Sequence, residues 1–307
     1  GAYFSESVLV TPEVVSKLGL CRDLAPLHTG AHLMGLKGIT DAMPGTPQVL
    51  VFDTAFHQTM PDYAWMYPIP YEMYEKYAIR RYGAHGTSHR YVSGEMCRVL
   101  GRTEGTKIVT CHLGNGSSIS AVKDGKVIDT SMGFTPLDGI EMGTRCGSID
   151  PAIVTFIMEH EGFTPNEMSE FMNKKCGLLG VSGLSPDCRD LGDAVAKGNK
   201  RAKLAVDILA YQIKKYIGGY AAAMNGLDAV VFTAGIGENR DEIRAAACAG
   251  LDWLGIKLDP EINAKTRLQS DNVRISAPDS KVAVWVIPTN EELVIARDTE
   301  RLVKAAK

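Results

Sequence analysis

The pattern of hydrophobic and polar positions predicts short buried strands alternating with amphipathic helices. Short apolar runs that end at Gly, Pro or Asp predict strands, because strands are short and are bounded by turn residues. The predicted strands are residues 48–52, 108–113, 118–122, 127–131, 228–233 and 282–287. Three successive strands, followed by strands that helices separate, predict a mixed sheet covered by helices, and so the α/β class.

Apolar residues at steps of three and four predict the helices. The longest covers residues 199–225, with Leu209, Ile213, Ile217 and Tyr220 on one face. The other predicted helices are residues 12–18, 32–43, 71–77, 152–161, 165–177 and 289–306, one that ends near residue 100, one after residue 190 and one from residue 241. No element is predicted for residues 1–10, and Thr29-Gly30 predicts a kink before the second helix.

A glycine-rich turn lies between the second and third predicted strands. Gly114, Asn115 and Gly116 tolerate the positive φ of a tight hairpin, and taken alone they favour a simple hairpin tip. Amides without covering side chains also form nests for phosphate oxygens. The following Gly/Thr/Pro-rich stretch 133–147 carries Arg145. A loop of that length is usually functional or disordered. Arg145 is either a solvated arginine, the usual fate of one, or the guanidinium beside a phosphate nest that phosphoryl transfer requires.

A second glycine pair, Gly235 and Gly237, follows the predicted strand 228–233 and precedes a helix. Glycines there let a phosphate approach the backbone at a helix N-terminus, but taken alone the pair favours an ordinary strand-to-helix turn. No GxxxxGK[ST] motif is present, which excludes a P-loop NTPase.

Three further residues are candidates for chemistry. Asp53, at the end of strand 48–52, caps a turn, accepts a proton or orients a metal-bound water. His85, between glycine-rich neighbours, is a structural histidine or a catalyst. Glu291, with Glu292, starts the last helix, where it either complements the helix dipole or holds Mg²⁺. No nucleophile elbow with a Ser-His-Asp or Cys-His order is present, which disfavours a hydrolase.

Composition narrows the class of protein. A length of 307 residues favours two domains, and 45% hydrophobic with 22% charged residues is ordinary for a soluble globular chain. The formal charge of −3 gives no basic footprint for nucleic acid or a membrane surface, and no transmembrane segment or signal peptide is apparent. The 7 cysteines are scattered without a CxxC spacing, which fits a reducing cytoplasm and disfavours zinc or disulfides.

Six motifs distributed along the chain resemble the acetate kinase (acetokinase) family. They are VFDTAFHQTMP (51–61), YGAHGTSHRYV (82–92), HLGNGSSI (112–119), DTSMGFTPLDGIEMGTRCGSIDP (129–151), GIGEN (235–239) and IPTNEEL (287–293). The resemblance implies a two-domain actin-like ATPase fold with ribonuclease-H-like cores. Residues 1–56 plus 293–307 would be a remnant of the N-terminal, acyl-side domain, and 57–292 the nucleotide-binding domain. It also implies reversible, Mg²⁺-dependent, in-line phosphoryl transfer between ATP and acetate in a cytoplasmic homodimer.

The resemblance also implies roles for individual residues. The expected catalytic residues are Asp53, His85 and Arg145, and the expected magnesium ligand is Glu291. The expected nucleotide contacts are His112, Leu113, Gly114, Asn115, Gly116, Asp187, Cys188, Arg189, Gly235, Ile236, Gly237, Glu238 and Asn239. The expected acyl-substrate contacts are Leu27, His28, Ala84 and Pro136.

Three departures from the family pattern stand out. The family's N-terminal segment, with an Asn, a Lys and the Arg that binds the substrate carboxylate, has no counterpart before Gly1, which leaves the first domain incomplete. Ala84 replaces an aromatic residue, and Thr29-Gly30 replaces Asn-Pro, both beside the acyl pocket. The changes at Ala84 and at Thr29-Gly30 predict that this protein accepts propionate or longer acyl chains better than a typical acetate kinase does. The alternatives are a catalytically impaired nucleotide-binding protein of the same fold, or a phosphoryl donor other than ATP.

Overall fold

The computed structural model describes residues 1–21, 26–267 and 270–306, except for the side chains of residues 26–28. The strands are β1 Val8–Leu9, β2 Val49–Leu50, β3 Lys107–Leu113, β4 Ser117–Lys123, β5 Lys126–Thr130, β6 Ala229–Thr233, β7 Val273–Arg274 and β8 Ala283–Val286. The helices are α1 Pro12–Leu20, α2 Pro26–Ala42, α3 Asp62–Trp65, α4 Tyr71–Tyr77, α5 Gly86–Leu100, α6 Pro151–Glu161, α7 Pro165–Lys174, α8 Gly177–Ser182, α9 Cys188–Ala196, α10 Lys200–Ala223, α11 Ala234–Asn239, α12 Asp241–Cys248, α13 Pro260–Lys265 and α14 Glu291–Ala305. Short 3₁₀ turns cover Ala55–Thr59 and Asp252–Leu254.

The main sheet has six strands in the order β5-β4-β3-β6-β8-β7. The strands β3, β4 and β5 are consecutive and antiparallel, whereas β6 runs parallel to β3 and β8 parallel to β6. A three-strand meander that continues into two parallel strands is the arrangement of a ribonuclease-H-like core. The predicted α/β class and mixed sheet are therefore confirmed.

Helices cover both faces of this sheet. Val109, Cys111 and Leu113 of β3 face a core that includes the apolar side of α10. Ile108 faces the opposite core, together with Val92 and Met96 of α5. Because strand side chains alternate, the polar residues Thr110 and His112 of β3 also lie on the α5 side. Polar groups that the sheet buries there are the basis of the functional site.

The first residues join this core through a small second sheet. Strand β1 pairs antiparallel with β2, and α14 packs against both strands and against α5. Asp298 of α14, which is buried, accepts hydrogen bonds from Ser7 Oγ at 2.7 Å and from Arg90 of α5 at 2.8 Å. The predicted boundaries at residues 56/57 and 292/293 remain predictions.

The structure differs from the prediction in two helices and in two short strands. Helix α2 starts at Pro26, earlier than predicted, and continues through Thr29-Gly30 without a break. Thr29 Oγ1 donates to the Cys21 carbonyl at 3.3 Å. The predicted helix 165–177 ends at Lys174, and Gly177 begins α8 instead. The strands β1 and β7 were not predicted, since two residues carry no periodicity.

Candidate active site

The N-terminus of α5 is built around Asp53 and His85. Asp53 follows β2, as predicted, and its Oδ2 accepts the backbone N–H of His85 at 2.9 Å. Its carbonyl accepts the N–H of Gly86 at 2.8 Å. His85 has a φ of 58°, and a Cβ on Gly86 would lie 2.3 Å from the Asp53 carbonyl oxygen. Only glycine allows the backbone at residue 86 to approach the Asp53 carbonyl so closely, so Gly86 is a structural requirement of the site.

The ring of His85 is stacked on the ring of His112. Their centroids are 4.1 Å apart and their planes differ by 17°. Ser118 Oγ lies 2.8 Å from Nδ1 of His85, and Ser88 Oγ lies 2.8 Å from Nδ1 of His112. Burial lowers the pKa of both rings, that of His112 to about 3. Both imidazoles are therefore neutral near pH 7 and act as hydrogen-bonding groups.

Arg145 and His85 meet at Gly116. A Cβ placed on Gly116 would lie 3.3 Å from Arg145 Nη1 and 3.5 Å from His85 Nε2. Arg145 Nη1 also donates to the Pro136 carbonyl at 3.2 Å. In the described part of the chain, no carboxylate lies within ion-pair distance of Arg145. A half-buried guanidinium without an anionic partner is suited to an anionic ligand.

The loop 133–147 is held in place by backbone hydrogen bonds. Gly143 N–H donates to the Asn115 carbonyl at 3.1 Å, and Cys176 N–H donates to the Thr144 carbonyl at 3.0 Å. Gly147 has a φ of 68° and packs against the backbone of Ile140. The loop is therefore ordered rather than disordered, and its anchoring fixes the position of Arg145. Its functional role remains a prediction.

The turn 114–116 differs from its prediction in one respect. It joins β3 to β4 as a hairpin, yet neither Gly114 nor Asn115 nor Gly116 has a positive φ among the residues that the structure describes. Gly116 is needed for space, because a side chain there would fill the gap between Arg145 and His85. The glycine signal was correct, but its physical reason was close approach rather than turn geometry.

The segment 235–239 was predicted as a turn, and this was wrong. It forms α11, whose first amides are capped by Glu238, since Oε1 accepts the N–H of Ala234 at 2.8 Å. Gly237 packs against β3, where a Cβ would lie 3.5 Å from the Cys111 carbonyl oxygen. Gly235 has open space around it, and Asn239 Nδ2 donates to its carbonyl at 3.0 Å. Glu238, within the segment, thus satisfies one of the free N–H groups at the start of this helix.

A cavity of about 340 Å³ lies beside Cys188, one of the predicted nucleotide contacts. Its lining includes Cys188 and Val195 of α9, Ile243 of α12, and Arg240, which directly follows α11. Asp187 and Arg189 lie next to Cys188 and bind each other, with Arg189 Nη2 2.6 Å from Asp187 Oδ2. The apolar wall and the neighbouring cations fit a nucleoside and its phosphates.

Glu291, like Asp53, binds a residue at the N-terminus of α5. Its Oε2 accepts a short hydrogen bond from Thr87 Oγ1, two residues after His85. In the described residues, one oxygen of Asp53 and one of Glu291 have no protein partner. Magnesium is usually bound by one or two carboxylates together with substrate phosphates, so this pair fits that ion.

The predicted acyl contacts are only partly described. Ala84 is buried against Met132 and Met142, and Pro136 is exposed, with its carbonyl bound to Arg145. Leu27 and His28 lie in α2, and their side chains lie outside the described residues. Methionines adapt to irregular space, so the missing aromatic ring at residue 84 leaves a deformable wall.

The prediction did not include Ser118, His89 or Thr87. All three are buried within motifs that the sequence did show, HLGNGSSI and YGAHGTSHRYV. A serine or threonine inside a strand or helix carries no signal of its partner until the fold brings the partner near.

Comparison with known proteins identifies the family. Residues 1–297 match the acetokinase family. The chain belongs to the acetokinase family. Acetate kinase from Dictyoglomus turgidum is 60% identical over 304 residues, which cover 99% of this chain and 74% of that protein.

Solved structures agree with this membership of the acetokinase family. Acetate kinase from Porphyromonas gingivalis has a TM-score of 0.95 and 50% identity, covering 99% of this chain and 76% of that one. A propionate kinase from Francisella tularensis has a TM-score of 0.93 and 46% identity, and the match covers 98% of this chain and 77% of that one. The chain is therefore an acetokinase-type enzyme with the family's α/β fold.

Proposed function

We propose that this protein transfers the γ-phosphoryl group of ATP to acetate, giving acetyl phosphate and ADP, and that it catalyses the reverse reaction. The observation that carries the proposal is the meeting of Arg145 and His85 at Gly116. A guanidinium and an imidazole that both lie close to the same bare glycine are suited to binding one tetrahedral anion. Phosphoryl transfer depends on such positioning and on spreading the charge of the equatorial oxygens.

In the proposed reaction a carboxylate oxygen of acetate attacks the γ-phosphorus in line with the departing ADP oxygen. One P–O bond forms as the other breaks, so no covalent enzyme intermediate is needed. Arg145 binds the equatorial oxygens, and His85 donates a further hydrogen bond to them. The ordered loop and the α5 N-terminus hold these two side chains in place before the substrate arrives.

Magnesium would neutralise the β- and γ-phosphate oxygens when bound. Glu291 and Asp53, which both bind residues at the N-terminus of α5, are the residues that would hold it, directly or through water. The adenosine moiety would occupy the cavity beside Cys188 and Arg240, with α11 at its edge.

The acyl group would lie near Ala84 and Pro136, next to Arg145. Propionate is the second candidate substrate, because alanine occupies the place of an aromatic ring and the neighbouring methionines can move. One methylene in an apolar pocket changes the rate by about 10- to 200-fold at most, so the two acids are expected to compete.

The protein is proposed to be a homodimer, and α6 supports this. No residue of α6, which lies entirely in the described part of the chain, is buried, although Ile153 and Phe156 are apolar and 42% and 59% exposed. Apolar side chains exposed on a helix of this kind are suited to an interface between subunits.

All 7 cysteines are free, which favours the cytoplasm. No helix in the described residues is long and apolar enough to cross a bilayer.

The test is direct detection of acetyl phosphate as its hydroxamate, with acetate, propionate or butyrate as acceptor. The proposal expects a product that depends on ATP and is abolished by a chelator of Mg²⁺. Arg145→Ala should form much less product. Arg98→Ala, which removes an exposed arginine of α5, is the matched control for loss of a positive charge and should form as much product as the parent. Binding of ATP without any acyl phosphate from the three acids would support the alternative of an impaired nucleotide-binding protein.

A further inference from the structure

Behind the His85 ring, a chain of hydrogen bonds continues into the sheet. Ser118 Oγ lies 2.8 Å from His85 Nδ1 and 2.7 Å from His89 Nε2. Nδ1 of His89 lies 2.7 Å from Thr110 Oγ1. Ser118, His89 and Thr110 are all fully buried, and none of them reaches the cleft. They were absent from the predicted site.

The hydrogens of this chain can be assigned from the distances. A hydroxyl donates one hydrogen bond, and a neutral imidazole donates from one nitrogen only. If Ser118 donates to His85 and Thr110 donates to His89, both hydroxyl hydrogens lie in short contacts, of 2.8 and 2.7 Å. Every other arrangement of neutral rings directs a hydroxyl to a carbonyl at 3.4 Å (Ala84) or 3.5 Å (Ser120). The first arrangement makes the better hydrogen bonds.

The short contacts set the tautomer of His85. The ring of His89 is fully buried, and this burial places its pKa well below its usual range, so it donates from one nitrogen only. With Nδ1 accepting from Ser118, the ring hydrogen of His85 must be on Nε2, the nitrogen that lies next to Gly116 and Arg145.

We propose that Ser118 and His89 are positioning residues that hold His85 in the Nε2–H tautomer, so that its ring donates a hydrogen bond to the transferring phosphoryl group. This inference rests on the proposed function of the same site. In the other tautomer, Nε2 would present a lone pair to an anionic oxygen and repel it. The hydrogen bond on one ring nitrogen thus decides what the other nitrogen can do.

The tautomer can be measured without any activity. Long-range ¹H–¹⁵N spectra of the histidine-labelled protein distinguish protonated from unprotonated ring nitrogens, and the His85→Gln spectrum assigns the His85 signals among the 7 histidines. The expected result is an unprotonated Nδ1 and a protonated Nε2. A protonated Nδ1 with a bare Nε2 overturns the inference, whatever reaction the enzyme catalyses.

Kinetics of matched variants provide the second test. Ser120 is the control, since it is buried on the same face of β4, two residues from Ser118, and holds a different histidine, with Oγ 3.0 Å from His57 Nε2. Ser118→Ala should lower kcat by about 10- to 100-fold with little change in KM, as loss of a ring-orienting partner does elsewhere. Ser120→Ala should leave kcat near that of the parent. Equal losses in the two variants would reduce Ser118 to a structural residue.

His89 offers a conservative rescue. His89→Gln keeps an amide N–H near the position of Nε2 and should retain more of kcat than His89→Leu, which cannot donate to Ser118. Equal kcat in the two variants would contradict a positioning role for the hydrogen bond from His89 to Ser118. If Ser118→Ala does not fold, the spectrum of the unaltered protein decides. If the protein forms no acyl phosphate, the proposed function fails while the tautomer is still read from the spectrum.

Discussion

The carboxylate of Asp53 accepts the backbone N–H of His85 at 2.9 Å. This bond holds a non-glycine residue in the left-handed region, with φ 58°, at the start of α5. It also joins the segment that follows β2 to the start of α5. Asp53 therefore has a structural contact in addition to its proposed part in catalysis.

Substitutions of Asp53 separate the two roles. Asp53→Asn keeps an oxygen for the His85 amide but loses the charge, so we expect kcat to fall by about 100-fold or more with unfolding unchanged. Asp53→Ala also removes the acceptor and should lower the free energy of unfolding by about 1–2 kcal/mol. Steady-state kinetics and denaturant unfolding of both variants provide the check. An active Asp53→Asn enzyme would limit Asp53 to its structural contact.

Gly116→Ala tests whether the space between Arg145 and His85 is functional. The added methyl would lie 3.3 Å from Arg145 Nη1 and 3.5 Å from His85 Nε2, where a phosphoryl oxygen is expected. We expect the rate of acyl phosphate formation to fall by about 100-fold, because misplacement of about 1 Å has that effect.

The control for Gly116→Ala is Gly94→Ala in the middle of α5, where nothing lies within 4 Å of the new methyl. It should be neutral or slightly stabilising, since alanine favours a helix. Should Gly116→Ala retain the parent rate, the phosphoryl group does not bind at this gap.

Much of the candidate site could be predicted from sequence, because its residues lie in recognisable motifs. Asp53, His85, Arg145 and the turn 114–116 lie in motifs whose spacing is fixed by backbone contacts, such as Gly86 against Asp53. Ser118 and His89 could not be found, because their partners are 33 and 29 residues distant along the chain. Only the pairing of β3 with β4 and the packing of α5 bring these groups together.

Acid should destabilise the fold through its buried histidines. Burial, with a smaller effect from His85, lowers the pKa of His57 and of His112 to about 3. The unfolded chain binds these protons near pH 6.5, so stability is full above that pH and falls as the pH drops from about 6.5 towards 3. At pH 5 each ring should cost about 2 kcal/mol.

Urea unfolding at about pH 7.5 and pH 5 measures this loss. His57→Gln cannot titrate at that position and should lose about 2 kcal/mol less between the two pH values. Nδ1 of His57 has no partner in the described residues, so a second proton on that ring could not be satisfied. Equal pH dependence in the variant and the parent would show that His57 is not buried in its neutral form.

Ala84→Phe tests the acyl specificity. A ring at this buried position would press on Met132 and Met142 and narrow the acyl side of the site. We expect the ratio of kcat/KM for propionate to that for acetate to fall by about 10-fold. Overpacking should cost about 1–3 kcal/mol of stability, so unfolding is measured in parallel. A ratio that does not change would place the acyl chain away from Ala84.

A double-substitution cycle on kcat, with His85→Ala, Arg145→Ala and the combined variant, tests most directly whether the two side chains act on one phosphoryl group. We expect Arg145→Ala to cost about 1,000-fold or more. Because residues that act as a unit are not additive, the combined variant should lose much less than the product of the single losses. Single variants with the parent's kcat, or losses that multiply in full, would contradict a shared phosphoryl site at Gly116.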